Sequence, residues 1–237
     1  MRAAAIQVVT FDCYGTLVDW EAGILSAVLP LLKGYGVEQD SGRVLQAFAR
    51  AEAAIEAQRP FLRYSEVLRR TFTQMAKDLG FTPRLDDAGV LLETFHSWPI
   101  FSDTVDGLRK IAARAPVGLI SNVDDVLVAE TIRRLEVEFS LVVTAEQVGA
   151  YKPDPRVFEY AAEIMAREGI ADRRGWVHAA QSAYHDLIPA DAFGLRTAHV
   201  TRPNHRGASA VPPRSFEGDW SAPTIGSLAE RFEEVWS

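Results

Sequence analysis

The sequence predicts an α/β fold, in which a parallel sheet carries helices on both faces and an all-helical block is inserted after the first strand. Two observations predict it. Residues 6–11, IQVVTF, form a β-branched apolar run that is typical of a strand buried on both faces. From Trp98 onward, apolar runs alternate with segments of helical periodicity, joined by short links. Such alternation builds a parallel sheet that is covered on both sides.

The helical block follows the first strand. Four segments there place apolar residues at helical spacing, and Gly80 is a typical helix stop. The segments are residues 21–36, 41–58, 63–80 and 86–98. We therefore expect a helical cap at residues 21–96 and a core formed by residues 1–20 and 97–237.

The second half of the chain predicts four helices, each followed by a strand. The helices occupy residues 103–115, 124–137, 152–169 and 186–194. The strands that follow them lie in residues 116–122, 139–149, 175–181 and 196–202. Asp103 suits the N-cap of the first of these helices, and Pro155 suits the start of the third. Residues 202–224 are rich in Pro, Gly and Ser, which indicates a surface loop.

The bulk composition is that of an ordinary globular protein. The 237 residues are 48% hydrophobic and 24% charged, and the net charge is −7. This acidic balance argues against nucleic acid or an anionic membrane as a partner. No apolar run approaches the ~20 residues that span a bilayer, and the N-terminus lacks a signal-peptide pattern. The single cysteine, Cys13, fits a reducing compartment, so we expect a cytoplasmic protein.

Chemically active side chains follow four predicted strands at their carboxyl ends, where open α/β sheets bind ligands. Asp12 and Thr16 follow the first strand. The loops after the other three supply Ser121 and Asn122, then Lys152, then Gln181 and Asp186. Because the fold brings these separate segments to one edge of the sheet, we expect them to form one site.

Asp12 suits a nucleophile, since an ionised carboxylate can attack an electrophile. Lys152 would favour the ionised form by charge pairing and so lower the pKa of Asp12. Thr16 could orient the carboxylate through a hydrogen bond. Asp186 could hold Lys152 or activate a water molecule.

Other polar residues in the same segments have different interpretations. Ser121 and Asn122 are neutral donors that suit a leaving group or a substrate carboxylate. His178 and His185 suit core or surface positions better than catalytic ones. Cys13 is expected to pack as a small apolar residue, because strand alternation points it away from Asp12.

Four short motifs resemble those of the haloacid dehalogenase superfamily. They are FDCYGTLVD at 11–19, ISN at 120–122, YKPDP at 151–155 and AAQSAYHD at 179–186. Their order and spacing fit over nearly the whole chain, with the helical block in the place of the family's cap. The resemblance implies a Rossmann-like core and a covalent ester on Asp12. Family members are often dimers, so it also implies a homodimer, although nothing in the sequence locates an interface.

Tyr14 separates the branches of that superfamily. Its phosphatases carry a second acid two residues after the nucleophile and another acid in the fourth motif that holds Mg²⁺. Here those places are taken by Tyr14 and by Gln181 or Ser182. The first motif instead resembles the 2-haloacid dehalogenase branch, in which halide leaves as an anion. The resemblance therefore implies substitution at carbon, with no metal and no cofactor.

The substrate-facing positions depart from that branch. It carries a cap arginine, for which this chain offers Arg43 and Arg50, and a tyrosine where this chain has Phe158. Its fourth motif has Ser and Asn where this chain has Gln181 and Ala183. The stretches FDCYGTLVDWE and SAYHDLIPA also resemble an azetidine-2-carboxylate hydrolase offshoot, in which the leaving group is an amine.

These observations predict a hydrolase that displaces a leaving group at the α-carbon of a small 2-substituted carboxylic acid. A 2-haloacid dehalogenase giving a 2-hydroxy acid and halide is the first interpretation, and azetidine ring opening is the alternative. A Mg²⁺-dependent phosphatase and a non-catalytic binding relative are less favoured. The expected catalytic residues are Asp12, Thr16, Lys152 and Asp186. The expected substrate contacts are Tyr14, Arg43, Arg50, Ser121, Asn122 and Gln181.

Overall fold

The computed structural model describes residues 5–170, 172–202 and 216–236. Within them the chain forms two compact units. The core unit contains residues 5–18, 100–170, 172–202 and 216–236, and the helical unit contains residues 19–99. The stretch 203–215 of the predicted surface loop lies outside the described residues. No helix in the described part of the chain is both long enough and apolar enough to cross a membrane.

The core unit holds a six-stranded parallel sheet, which confirms the predicted fold class. The strands are β1 (Val8–Phe11), β2 (Val117–Ser121), β3 (Leu141–Thr144), β4 (Trp176–Ala180), β5 (Arg196–Val200) and β6 (Trp220–Ala222). Their order is β3-β2-β1-β4-β5-β6. All four residues of β1 are buried, as expected for a central strand. Because β2 and β4 flank β1 on opposite sides, the carboxyl end of β1 is the topological switch point at which such sheets bind ligands.

Helices cover both faces of this sheet. They are α5 (Thr104–Ala112), α6 (Asp125–Leu135), α7 (Ala145–Val148), α8 (Arg156–Arg167), α9 (Ile188–Ala192) and α10 (Ile225–Trp236). Phe158, Ala161 and Met165 of α8 join a buried apolar cluster with Val8 of β1 and Trp176 of β4. On α5, a Cβ at Gly107 would lie 2.8 Å from the backbone of α10. Only glycine therefore allows the close approach of these two helices.

The helical unit contains α1 (Trp20–Gly34), α2 (Ser41–Glu56), α3 (Tyr64–Leu79) and α4 (Val90–Thr94). The side chains of Asp19 and Asp40 cap α1 and α2, and Gly80 ends α3 at a φ of 84°. The fourth predicted helix is not continuous. The 3₁₀ turns Leu85–Gly89 and Phe95–Ser97 flank a single short helix, and the weak helix former Gly89 directly precedes it.

Three further features of the core differ from the sequence prediction. β6 lies within the predicted surface loop, where its three residues are too few to show alternation. It pairs with β5 through Ala198 and Trp220, and the following α10 was not predicted. The short helix expected at residues 186–194 begins earlier, with the π-helical turn Ala183–Leu187. Such single turns often occur at functional sites.

Asp103 caps a different helix from the one predicted. It stands in the N-cap position of α5 but makes no side-chain bond to that helix. Its Oδ2 accepts hydrogen bonds from the backbone N–H groups of Ile225 and Gly226, at 2.8 and 3.4 Å. The carboxylate is thus used at the start of α10, where free N–H groups and the helix dipole favour a negative charge.

Candidate active site

The carboxylate of Asp12 directly follows β1 and is held at both oxygens. Lys152 Nζ donates to Oδ1 at 2.9 Å, and Thr16 Oγ1 donates to Oδ2 at 2.7 Å. Thr16 Oγ1 in turn accepts the backbone N–H of Gln181 at 3.0 Å, which directs its single proton towards Asp12. The Asp12 side chain keeps 11% of its surface exposed, so a small molecule can reach an otherwise buried carboxylate.

Lys152 is the centre of the cluster, and its side chain is only 1% exposed. The ammonium donates to Asp12 Oδ1, to Asp186 Oδ1 at 2.5 Å and to the carbonyl oxygen of Ile120 at 2.8 Å. These three acceptors match the three protons of an ammonium group. The charge of Lys152 is therefore shared by two buried carboxylates.

Asn122 fixes the backbone of Lys152. Its Oδ1 accepts the Lys152 N–H at 2.7 Å, and its Nδ2 donates to the Lys152 carbonyl oxygen at 3.1 Å. This contact joins the end of β2 to the loop that carries the lysine. Asn122 thus has a positioning role that the sequence did not predict, and its contact with substrate stays a prediction.

Sharing one ammonium separates the pKa values of the two carboxylates. Burial raises the pKa of Asp12, and the charge of Asp186 adds to this, so together they outweigh the lowering by Lys152. Burial also acts to raise the pKa of Asp186, but Lys152 and His178 overcome it and lower the value to about 2. Lys152 does lower the pKa of Asp12, as expected, but burial and the second acid, which the expectation left out, raise it further than the lysine lowers it. A more basic Asp12 is a stronger nucleophile once ionised.

The same two carboxylates stabilise the ammonium. Burial alone would lower the pKa of Lys152, but Asp12 and Asp186 raise it above its ordinary value. Lys152 therefore stays protonated at neutral pH, and it can counter negative charge on the oxygens that it contacts.

Tyr14 and Ser121 bring polar atoms of two different kinds to this end of the sheet. The Tyr14 hydroxyl forms a hydrogen bond of 2.9 Å with Thr131 Oγ1 of α6, and burial raises the pKa of the phenol well above its usual range. Ser121 Oγ, at the end of β2, is buried and has no hydrogen-bond partner among the described residues. A buried hydroxyl without a partner is costly, so it suits a polar group of a bound molecule.

The remaining predicted contacts are not part of this cluster. Arg43 and Arg50 lie seven residues apart on α2 of the helical unit, and both are exposed. Gln181 contributes its backbone N–H to Thr16, while its side chain is half-buried. The substrate contacts of these three side chains stay predictions.

Arg202 is a site residue that the sequence analysis missed. It is buried, and its Nε and Nη2 donate to the carbonyl oxygen of Thr16 at 2.9 and 2.6 Å. Nη1 binds Asp103 Oδ1 at 2.5 Å, and the guanidinium lies 4.1 Å from the ring centroid of Phe101. Arg202 thus holds the turn that carries Thr16. The contact joins positions 186 residues apart, so no local pattern announces it.

A second site residue that the sequence analysis missed is His178, which contacts Asp186. His178 of β4 is fully buried, and its ring nitrogens contact Asp186 and Thr10. Trp176 donates its indole N–H to the same threonine. A signal was present, because Thr10 and His178 interrupt strands that are otherwise apolar. In the described residues, no group of three or more His, Cys, Asp or Glu side chains is arranged to hold a metal ion.

Fold and site together define a parallel-sheet α/β hydrolase with an aspartate at the carboxyl end of its central strand. The chain belongs to the haloacid dehalogenase-like hydrolases, whose family model matches residues 6–171. This finding confirms the superfamily inferred from the four motifs.

Individual relatives agree with the branch inferred from the first motif. The chain is 28% identical to an (S)-2-haloacid dehalogenase of Pseudomonas fluorescens, over 84% of this chain and 86% of that protein. It superposes on the crystal structure of a defluorinating L-2-haloacid dehalogenase with a TM-score of 0.80 and 25% identity, covering 96% of this chain and 95% of the other. It is also 30% identical to a pyrimidine 5′-nucleotidase of Escherichia coli (strain K12), over 52% of this chain and 51% of that protein.

Proposed function

We propose that this hydrolase converts small 2-halogenated carboxylic acids into 2-hydroxy acids through an ester on Asp12. The observation that carries the proposal is the Asp12 carboxylate, fixed through Lys152 and Thr16 yet open to a small molecule. Both donors orient the group without removing its attacking lone pairs, which is the arrangement that displacement at carbon requires. The (S) enantiomer is the expected substrate, because curated relatives are named (S)-2-haloacid dehalogenases.

In the first step an oxygen of Asp12 attacks the α-carbon of the acid. The new carbon–oxygen bond forms as the carbon–halogen bond breaks, and the halide leaves with the bonding electron pair. No proton is needed by the leaving group. Ser121 Oγ, unpartnered at the end of β2, would donate to the carboxylate of the substrate.

In the second step water attacks Cγ of the Asp12 ester. Asp186, ionised because its pKa lies at about 2, accepts a hydrogen bond from this water and receives its proton as the bond forms. The Cγ–O bond then breaks, and the departing alkoxide takes the proton back from Asp186 to give the 2-hydroxy acid. The second proton of the water is released from the Asp12 carboxyl group as it ionises again. The hydroxyl oxygen of the product thus comes from Asp12, and a water oxygen replaces it. The net products are the 2-hydroxy acid, halide and one proton.

Tyr14 favours this proposal over phosphoryl transfer. The resemblance implies that phosphatases of the superfamily place a carboxylic acid there, as general acid and base. In this chain the position holds a phenol that is paired with Thr131 and has a raised pKa. Such a group is a poor base at neutral pH. The nucleotidase relative covers only half of the chain.

The substrate class is tested with a panel of chloroacetate, fluoroacetate, both 2-chloropropionate enantiomers, azetidine-2-carboxylate and an aryl phosphate with Mg²⁺. We expect halide release from the haloacids, with preference for the (S) enantiomer. Ring-opened amino acid alone would replace the proposal by azetidine hydrolysis, and phosphate alone would replace it by a phosphatase. Asp12→Asn is the inactive control. Light scattering on the same preparation checks the expected homodimer.

The ester is tested by one turnover in H₂¹⁸O with enzyme in excess. The 2-hydroxy acid should carry no label, and peptide mass spectrometry should find one ¹⁸O in Asp12. Labelled product with an unlabelled enzyme would mean that water attacks the substrate directly, which would overturn the ester mechanism while leaving the substrate class intact.

A further inference from the structure

We infer that His178 is a positioning residue for ester hydrolysis, because it fixes which oxygen of Asp186 faces the attacking water. This inference rests on the function proposed above and deepens it. His178 touches neither Asp12 nor the position of a substrate in the contacts that the structure shows. It acts through the carboxylate that neighbours Lys152.

The hydrogen bonds around His178 assign its tautomer. Trp176 Nε1 can only donate, and it lies 2.7 Å from Thr10 Oγ1. The single proton of Thr10 then goes to His178 Nδ1 at 2.9 Å rather than to the Val177 carbonyl oxygen at 3.5 Å. Because Nδ1 accepts, a neutral ring carries its proton on Nε2, which lies 3.1 Å from Asp186 Oδ1. Every side-chain polar atom in this buried row of hydrogen bonds, from Trp176 through Thr10 to His178, then has a partner.

The opposite tautomer is unfavourable. A proton on Nδ1 would leave the lone pair of Nε2 facing Asp186 Oδ1, and two acceptors would meet in a buried environment. The ionised state of Asp186, favoured by Lys152, excludes a proton on the carboxylate that could relieve this repulsion. The strand register explains why these hydrogen bonds connect, because Thr10 and His178 are paired residues of β1 and β4.

The two donors to Asp186 fall on the same oxygen. Lys152 Nζ and His178 Nε2 contact Oδ1 at 2.5 and 3.1 Å, and no described residue donates a hydrogen bond to Oδ2. Two donors from different directions fill the lone pairs of Oδ1 and fix the rotation of the carboxylate. Oδ2 is therefore the oxygen available to water. Without His178, rotation about the Cβ–Cγ bond would no longer be restrained on that side.

The surroundings of His178 favour a fixed ring. Phe158 of α8 packs against the imidazole edge to face, with ring centroids 5.2 Å apart. The ring is fully buried, and among the described residues it contacts the carboxylate of Asp186, which in turn binds Lys152. A phenylalanine offers no hydrogen bond, so Thr10 is the only described partner of Nδ1.

The test compares two variants of similar size. His178→Gln can place an amide donor near the position of Nε2, whereas His178→Leu cannot donate. With excess (S)-2-chloropropionate we expect halide release in the first turnover to stay within about threefold of wild type in both variants. Hydrolysis of the ester should slow by about tenfold to a hundredfold in His178→Leu, as for the loss of a hydrogen bond to a charged group. The Asp12 ester should then accumulate and be visible by intact mass, and His178→Gln should restore much of the hydrolysis rate.

Equal rates for both steps in wild type and His178→Leu would overturn the inference. So would equal slowing of both steps in the two variants, because that pattern indicates a general structural effect. Failure of wild type to release halide would instead refute the proposed function. In that case, and if His178→Leu does not fold, ¹H–¹⁵N correlation spectra of the wild-type imidazole decide the matter. We expect the proton on Nε2 and a lone pair on Nδ1, and a ring protonated on Nδ1 would refute the assignment.

Discussion

Replacing Lys152 by methionine should destabilise the core unit in a strongly pH-dependent way. Methionine is similar in length to lysine but has no charge and no donor. The change leaves three buried acceptors without their shared partner: Asp12 Oδ1, Asp186 Oδ1 and the Ile120 carbonyl oxygen. Two neighbouring carboxylates then lack the ammonium group that they share.

The magnitude follows from the burial of this cluster. The side chains of Lys152 and Asp186 are 1% and 2% exposed, so solvent screens the pair poorly. Removing one partner of a buried ion pair costs about 3–5 kcal/mol. Uptake of a proton by one carboxylate limits the cost, so we expect the lower half of this range near neutral pH.

The sign of the pH dependence can be worked out from Asp186. In the wild type its folded pKa, about 2, lies below its unfolded value of 3.8. This ion pair therefore stabilises the protein above the unfolded pKa, and the contribution is lost as the pH falls through about 2. Without Lys152 the buried carboxylates have raised pKa values, and stability instead falls as the pH rises. The difference between wild type and Lys152→Met should thus be largest near neutral pH.

Urea unfolding followed by circular dichroism at about pH 7.5 and about pH 4.5 measures this difference. Lys110→Met, at an exposed lysine of α5, is the matched control and should change stability by less than about 0.5 kcal/mol. The double variant Lys152→Met/Asp186→Asn should recover part of the loss, because it removes one uncompensated charge. An equal destabilisation at both pH values, or a loss below about 1 kcal/mol near neutral pH, would refute the shared-charge reasoning.

Three further predictions concern other residues. Thr16→Val should slow the first halide release about tenfold or more, because it removes the hydrogen bond to Asp12, whereas Thr16→Ser should retain most of the rate. Equal rates for Thr16→Val and wild type in stopped-flow halide assays would contradict this. Arg202→Met should lower the unfolding free energy by about 3–5 kcal/mol, because Asp103 loses its buried partner; an unchanged melting temperature would argue against that role. Burial raises the pKa of Glu52 from 4.5 to about 7, so the folded state retains a proton that the unfolded state releases, and stability should fall as the pH rises between these values. Glu52→Gln should flatten this slope in thermal melts across the same range, and an unchanged slope would assign it to other groups.

The sequence by itself determined the fold class and the members of the central cluster. Residues 6–11 are apolar and β-branched, and β1 forms within them. The residues after that strand, after β2, in the loop before α8 and after β4 were expected to meet. Asp12, Thr16, Lys152 and Asp186 do lie in direct contact. This was predictable because parallel strands carry their carboxyl ends to one edge, whatever the details of packing.

The tertiary structure decided how those residues behave. The pKa of Asp12 depends on burial and on two neighbouring charges of opposite sign, and the sequence showed only the possibility of a lysine contact. The sequence predicts a substrate contact for Asn122, which stays a prediction, and only the structure shows that its amide also holds the backbone of Lys152. Energies of this kind are sums of opposing terms, so their sign requires the distances and the burial of every participant.

Contacts between distant parts of the chain were likewise fixed only by the fold. Asp103 suited the helix that follows it, but the structure places its carboxylate at the start of α10, more than a hundred residues later in the chain. Arg202 reaches the Thr16 carbonyl oxygen across 186 residues, and Thr10 meets His178 across 168. Local periodicity determines which residues form a strand or a helix. Which polar groups satisfy one another inside the protein depends on strand order, register and burial, and these are properties of the folded chain.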